Sequence, residues 1–174
     1  MSRTHPSLAL ILVLILGSAL AGTFAGSAQV PPDATPGAQG VNGVILGGVE
    51  PVVAPGYRLV LAELVFEPGT YATEHFHPTA IVFCVQSGQL GFAIHHGSAT
   101  LTRDGGEPDP IALDTDMTLD PRDCVAFDHF AAHTTHTGWN LSDGPTVLWE
   151  ARLFKTDEPF TTFVDEQGTP VPAP

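Results

Sequence analysis

Charge is scarce in this chain, and positive charge scarcer still. Only 14% of its 174 residues are charged, and 6 Lys and Arg face 19 Asp and Glu, a formal net charge of −13. A surface this acidic repels phosphate backbones, which excludes nucleic acid as a partner and disfavours anionic membrane surfaces. No Gly-rich phosphate loop, no nucleophile elbow and no Cys/His catalytic pairing occurs. Beyond the amino-terminal segment no stretch sustains a 3.6-residue apolar period, which argues against a helical fold. What is present is 43% hydrophobic residues, enough for one domain with a core, broken up by 18 Gly and 16 Pro. Such a composition implies many turns and short elements.

The first residues stand apart. Arg3 and His5 precede an unbroken apolar run, Leu8 to Leu16, and then small residues up to Ala28. This three-part pattern predicts a secretory signal peptide over 1–28. The run is shorter than the roughly 20 apolar residues that a spanning helix needs. The expected location is therefore secreted or extracytoplasmic, with no membrane contact after cleavage; an uncleaved anchor is the alternative. In an oxidising compartment Cys84 and Cys124 can form a disulfide, or each can serve as a small apolar filler.

Residues 29–45, rich in Pro, Gly and Ala, read as a linker. From residue 46 to 157, short apolar runs alternate with turn residues at the spacing of an all-β sandwich or barrel. "YRLVLAELVFE" places Val60, Ala62, Leu64 and Phe66 on one face, and "AIVFCVQSG" places Ile81, Phe83 and Val85 on one face. In "TVLWEARLF" the expected inward set is Val147, Trp149, Ala151 and Leu153. Residues 158–174 read as a loose carboxy-terminal tail.

Within this pattern "TEHFHP", residues 73–78, carries chemistry. Residues i and i+2 of a strand point the same way, so His75 and His77 present two imidazoles that can converge on one cation. Pro78 bars further ladder pairing. A third ligand has to come from "FDHFAAHTTHTGWN", which holds His129, His133 and His136. His95 and His96 precede Gly97 and read as an exposed turn.

The spacing Pro68-Gly69, five residues, His75-x-His77, closing on Gly88, resembles the first motif of the cupin superfamily. "RDCVAF", with Asp123, and "NLSDGPTVLW", with Asn140, are similar to its second motif. The resemblance covers about residues 46–155. It implies a double-stranded β-helix, a jelly-roll barrel, with a metal near its open end. The family's motif Glu falls at Ile81 or Val82 here, so the resemblance implies a three-histidine site without the usual carboxylate. The interval from Asp123 to Asn140 is three residues longer than the motif. Counting from Asp123 makes His133 the third ligand; counting back from Asn140 makes it His136. An odd offset keeps both from pointing inward from one regular strand.

Three imidazoles leave open positions on Fe, Mn, Ni, Cu or Zn as a divalent ion. Two functions are expected from this. One is a metal-dependent enzyme of oxygenase type acting on a small organic substrate. The other is a non-catalytic exported barrel that binds a small ligand or a metal. Leu59 and Leu61, on the opposite face of their strand, offer a surface for homodimerisation.

Overall fold

The computed structural model describes residues 36–172 together with Val30 and Ala34, so the expected signal peptide lies outside the described residues. Among the described residues the chain forms twelve strands and one helical turn. In order these are β1 (Ala38–Val49), β2 (Tyr57–Phe76), β3 (Thr79–Ser87), β4 (Leu90–His96), β5 (Thr100–Thr102), β6 (Pro108–Pro110), β7 (Met117–Leu119) and β8 (Cys124–Asp128). After α1 (His129–Ala132) come β9 (Thr135–Asn140), β10 (Thr146–Lys155), β11 (Thr162–Val164) and β12 (Pro170–Val171). The fold is all-β, a curled antiparallel jelly-roll barrel.

β2 organises it. Its first half pairs with β10 over Tyr57–Phe66, and β10 pairs in turn with β3. Its second half leaves β10 and pairs with β9 at Tyr71, Ala72 and His75. The change of partner follows Pro68-Gly69, where Gly69 takes a left-handed φ of +74°. Proline cannot donate to a ladder and glycine accepts that backbone without a Cβ penalty, so the pair makes the corner by which one strand serves both walls. Gly88, at φ +76°, closes the β3–β4 turn; a Cβ there would come within 2.5 Å of Thr146 Oγ1.

The core is the inner face of both walls. Val60, Ala62 and Phe66 of β2 are buried, as are Ile81, Phe83 and Val85 of β3, in agreement with the alternation read from the sequence; Leu64 is half-buried. Phe92 and Ile94 from β4, Val125 and Phe127 from β8 and Leu148 from β10 complete it. Burying each such side chain contributes roughly 1.5–3 kcal/mol.

Three expectations need correction. The inward set of β10 is Thr146, Leu148, Glu150 and Arg152; Trp149 lies outside, 46% exposed, its Nε1 donating to Glu63. Two charged side chains occupy inward positions because they neutralise each other (Arg152 Nη1 to Glu150 Oε1, 2.6 Å), which an apolar alternation rule cannot register. The stretch read as linker contains β1 from Ala38 onward, paired along β2, because β2 has a free edge there to satisfy its backbone groups. The tail likewise contains β11, which pairs with β2 at Phe76 and His75. Cys84 and Cys124 face each other across the β3–β8 pair and form a disulfide.

Candidate metal centre

His75 and His136 are direct cross-strand partners in the β2–β9 ladder, and His77 follows two residues on, just past the end of β2. Ladder register and strand parity thus put three imidazoles on one inward face. Their ring centroids lie 4.2 Å (75 to 136), 4.8 Å (75 to 77) and 5.1 Å (77 to 136) apart. One nitrogen from each ring falls within 4.8 Å of the others. All three residues are buried, at 5–6% exposure.

The sequence left His133 and His136 open as the third ligand, and the structure brings only His136 to the pair. Between Asp123 and Asn140 the chain makes the single turn of α1, which Asp128 caps by accepting from the Phe130 amide. His133 is its C-cap, exposed, in the left-handed region at φ 51°. Of the two countings, the one back from Asn140 names the histidine that lies beside His75 and His77. Asp123 is buried and bound by Arg103. Asn140 is 1% exposed and donates to the carbonyls of Phe66 and Gly144 while accepting from Ser142 N and Thr146 Oγ1.

The donor chemistry suits a cation. His75 Nδ1 is 2.7 Å from the Thr73 carbonyl and His77 Nδ1 is 3.0 Å from that of Phe160. A carbonyl only accepts, so each Nδ1 carries the proton and each Nε2 keeps its lone pair. His136 Nδ1 is buried with no hydrogen-bond partner among the described residues, an orphan that is costly unless a ligand meets it. Burial holds the His75 pKa down to about 4, against the opposing Thr73 bond. Burial, and then the neighbouring imidazoles, hold His77 and His136 well below the usual range. All three rings are therefore neutral at physiological pH, the state a metal requires. Phe92 and Phe127 wall His136 at 5.3 and 5.0 Å.

Ile81, where the resemblance would place a carboxylate, is buried in the core. The carboxylate near the site comes instead from β10. Glu150 lines the inner recess together with His75, His77 and His136, and burial raises its pKa to about 7 despite the Arg152 charge beside it. The sequence reading missed both residues, although "EAR" obeys the same i, i+2 rule that joins His75 to His77. It also missed Phe160, whose ring stacks on His77 at 4.5 Å. Outward of the histidines opens a cavity of about 460 Å³, lined by His75, His77, Arg152, Thr161 and apolar side chains from β1, β2 and the carboxy-terminal segment.

The other histidines are elsewhere. His95, expected in an exposed turn, lies within β4 half-buried, bridging Asp114 and Thr137 at 3.1 and 3.0 Å. His129 stacks on Phe76.

No protein-family profile matches the chain, and no curated protein matches it by sequence. Solved structures that resemble it include cupin-fold proteins. An oxalate decarboxylase from Lactobacillus farciminis matches at 13% identity over 60% of this chain and 26% of that one, with a TM-score of 0.39. An L-ribose isomerase from Cellulomonas parahominis matches at 17% over 62% and 58%, with a TM-score of 0.46. A cupin 2 domain-containing protein from Halorhodospira halophila matches at 19% over 70% of each chain, with a TM-score of 0.41. The chain spans less than two thirds of the length of the decarboxylase and of the isomerase. At these identities and scores no ligand, reaction or assembly transfers to it.

Proposed function

We propose that this protein holds a divalent transition metal on His75, His77 and His136 and presents a small organic ligand to it from the adjoining cavity, as a metal-dependent enzyme of oxygenase type. The observation that carries this reading is the meeting of three buried, neutral imidazoles beside a cavity. A bound cation supplies Lewis acidity or redox chemistry with coordination positions left open. The chain's own contribution is geometric and electrostatic. Thr73 and Phe160 fix two imidazole tautomers through their carbonyls. Phe160 and Phe163 exclude water from the rings they contact. Glu150, with a pKa near neutrality, is placed to take up or return a proton at its carboxyl.

A second reading, a non-catalytic barrel that binds a metal or small ligand, is favoured by one observation. Glu150 is already committed to Arg152, so the cluster of candidate ligands contains imidazoles alone. Metal content by mass spectrometry, followed by O₂ uptake with phenols, diketones and thiols, separates the two. Turnover that vanishes in His75→Ala and His77→Ala supports the enzyme. One metal per chain with no uptake across the panel supports the binding barrel.

The same proposal includes export with cleavage near Ala28, supported by the amino-terminal pattern and by the Cys84–Cys124 disulfide. Amino-terminal sequencing of the protein recovered from the extracytoplasmic fraction tests it; a start at Met1 overturns cleavage. Homodimerisation also belongs to this reading. Leu59, Leu61, Val82 and Trp149 are each 43–46% exposed on one outer face of β2, β3 and β10, and a monomer in sedimentation at micromolar concentration overturns it.

A further inference from the structure

Among the described residues lining the cavity outward of the histidines, Arg152 is the one that carries a charge, and none is Asp or Glu. Its side chain is only 10% exposed. Nη1 donates to Glu150 Oε1 at 2.6 Å, and the guanidinium carbon lies 3.2 Å from the Phe160 ring centroid. Nε is buried and has no hydrogen-bond partner among the described residues. A guanidinium has five N–H donors in a planar fork, and buried donors in folded proteins almost always find an acceptor. Phe160 covers one face of the fork, so an acceptor has to approach in its plane, the geometry that suits a carboxylate.

Charge balance points the same way. Three neutral imidazoles do not offset a divalent cation, and the charge of Arg152 is offset by Glu150 alone. The site as a whole therefore carries excess positive charge and attracts an anion. The rest of the cavity wall is mostly apolar, from Val41, Ile45, Leu64, Phe66 and Phe163, with Thr161 as its one hydroxyl. Its volume of about 460 Å³ is that of a small-molecule site.

We propose that the cavity takes a small monocarboxylate with an apolar aliphatic or aromatic body, its carboxylate held in the plane of the Arg152 guanidinium and its body against the Leu64, Phe66 and Phe163 side of the wall. This ligand class rests on the metal-binding reading above, since the metal supplies much of the excess positive charge. Glu150 is a positioning residue: by holding Nη1 it fixes the fork and leaves the other edge to the ligand.

The test is calorimetric titration of zinc-loaded and metal-free protein with benzoate and hexanoate, and with the uncharged benzamide and hexanamide. Zinc content is measured on the same samples. The acids are expected to bind the zinc-loaded protein about tenfold or more tightly than their amides, and Arg152→Gln to lose that preference. Arg152→Lys, which keeps the charge and removes the fork, is expected to lose most of it. In the unmodified protein the Arg152 Nε–Hε resonance is expected to move downfield as benzoate is added, a readout that does not depend on any variant folding. Equal binding of acid and amide, no binding of either acid, or an unmoved Nε–Hε resonance overturns the proposal. Zinc bound at one per chain without response to the acids overturns this inference and leaves the metal reading intact. Benzoate bound at Arg152 in a protein that retains no zinc overturns the metal reading instead.

Discussion

The three imidazoles differ in how they are held. Carbonyls fix the tautomers of His75 and His77, whereas the buried Nδ1 of His136 has no hydrogen-bond partner among the described residues. Replacing His136 with Ala is expected to reduce bound metal from one equivalent to a trace, and His133→Ala to leave it unchanged; mass spectrometry of the dialysed proteins checks both. Asn140 shows the other use of a buried polar residue. Its amide ties the end of β9 to the Phe66 carbonyl and to the turn that leads into β10. Asn140→Ala leaves those groups without partners and is expected to cost about 2–3 kcal/mol in urea unfolding. Asn140 stands in an "NLS" sequon, but its burial leaves no room for a glycan.

Among the elements, β10 and the carboxy-terminal segment do more than their sequences announce. β10 carries an apolar outer face and an inner face that ends in Glu150 and Arg152. β11 closes onto β2 beside His75, with Phe163 its direct partner and Phe160 just before it. Ending the chain after Lys155 removes the carbonyl that orients His77 and the ring stacked on it. Loss of such supporting groups typically weakens metal binding about 10–100-fold, which a chelator competition would read. The disulfide makes a separate contribution, tying β3 to β8 across a sequence separation of 40. The double variant Cys84→Ala, Cys124→Ala is expected to unfold with about 4 kcal/mol less stability on the chain-entropy scale, as measured by denaturant titration with no reductant present.

For the whole molecule, the buried histidines couple stability to pH. Their folded pKa values are depressed, His75 to about 4 and His77 and His136 well below the usual range, mainly by burial. Between about pH 4 and the unfolded value near 6.5, the unfolded chain binds protons that the folded protein refuses. Stability of the metal-free protein therefore rises with pH across that window and is progressively lost as pH falls, with His75 alone accounting for about 3 kcal/mol. Glu150 runs the other way, since its raised pKa favours the folded protein until pH passes about 7, but three histidines outweigh one carboxyl below 6.5. Thermal unfolding at pH 4.5, 5.5 and 6.5 checks the sign; a flat or falling trend would contradict neutral, buried imidazoles. Adding zinc at pH 6.5 is expected to raise the midpoint, because the metal binds only the assembled site.

What the sequence alone determined is what depends on parity and short-range chemistry. The alternation of β2 and β3 and the pairing of His75 with His77 on one face were legible because each is decided within a few residues. Only the tertiary structure decided the rest. Whether His133 or His136 completes the cluster turns on one helical turn whose length no parity rule reports, and on the register that sets His136 against His75. The inward face of β10 was hidden because Glu150 and Arg152 neutralise each other only once both are buried. The roles of β1 and β11 and the disulfide depend on which strand edges are left free when the sheet curls, a property of the closed barrel and not of any segment taken by itself.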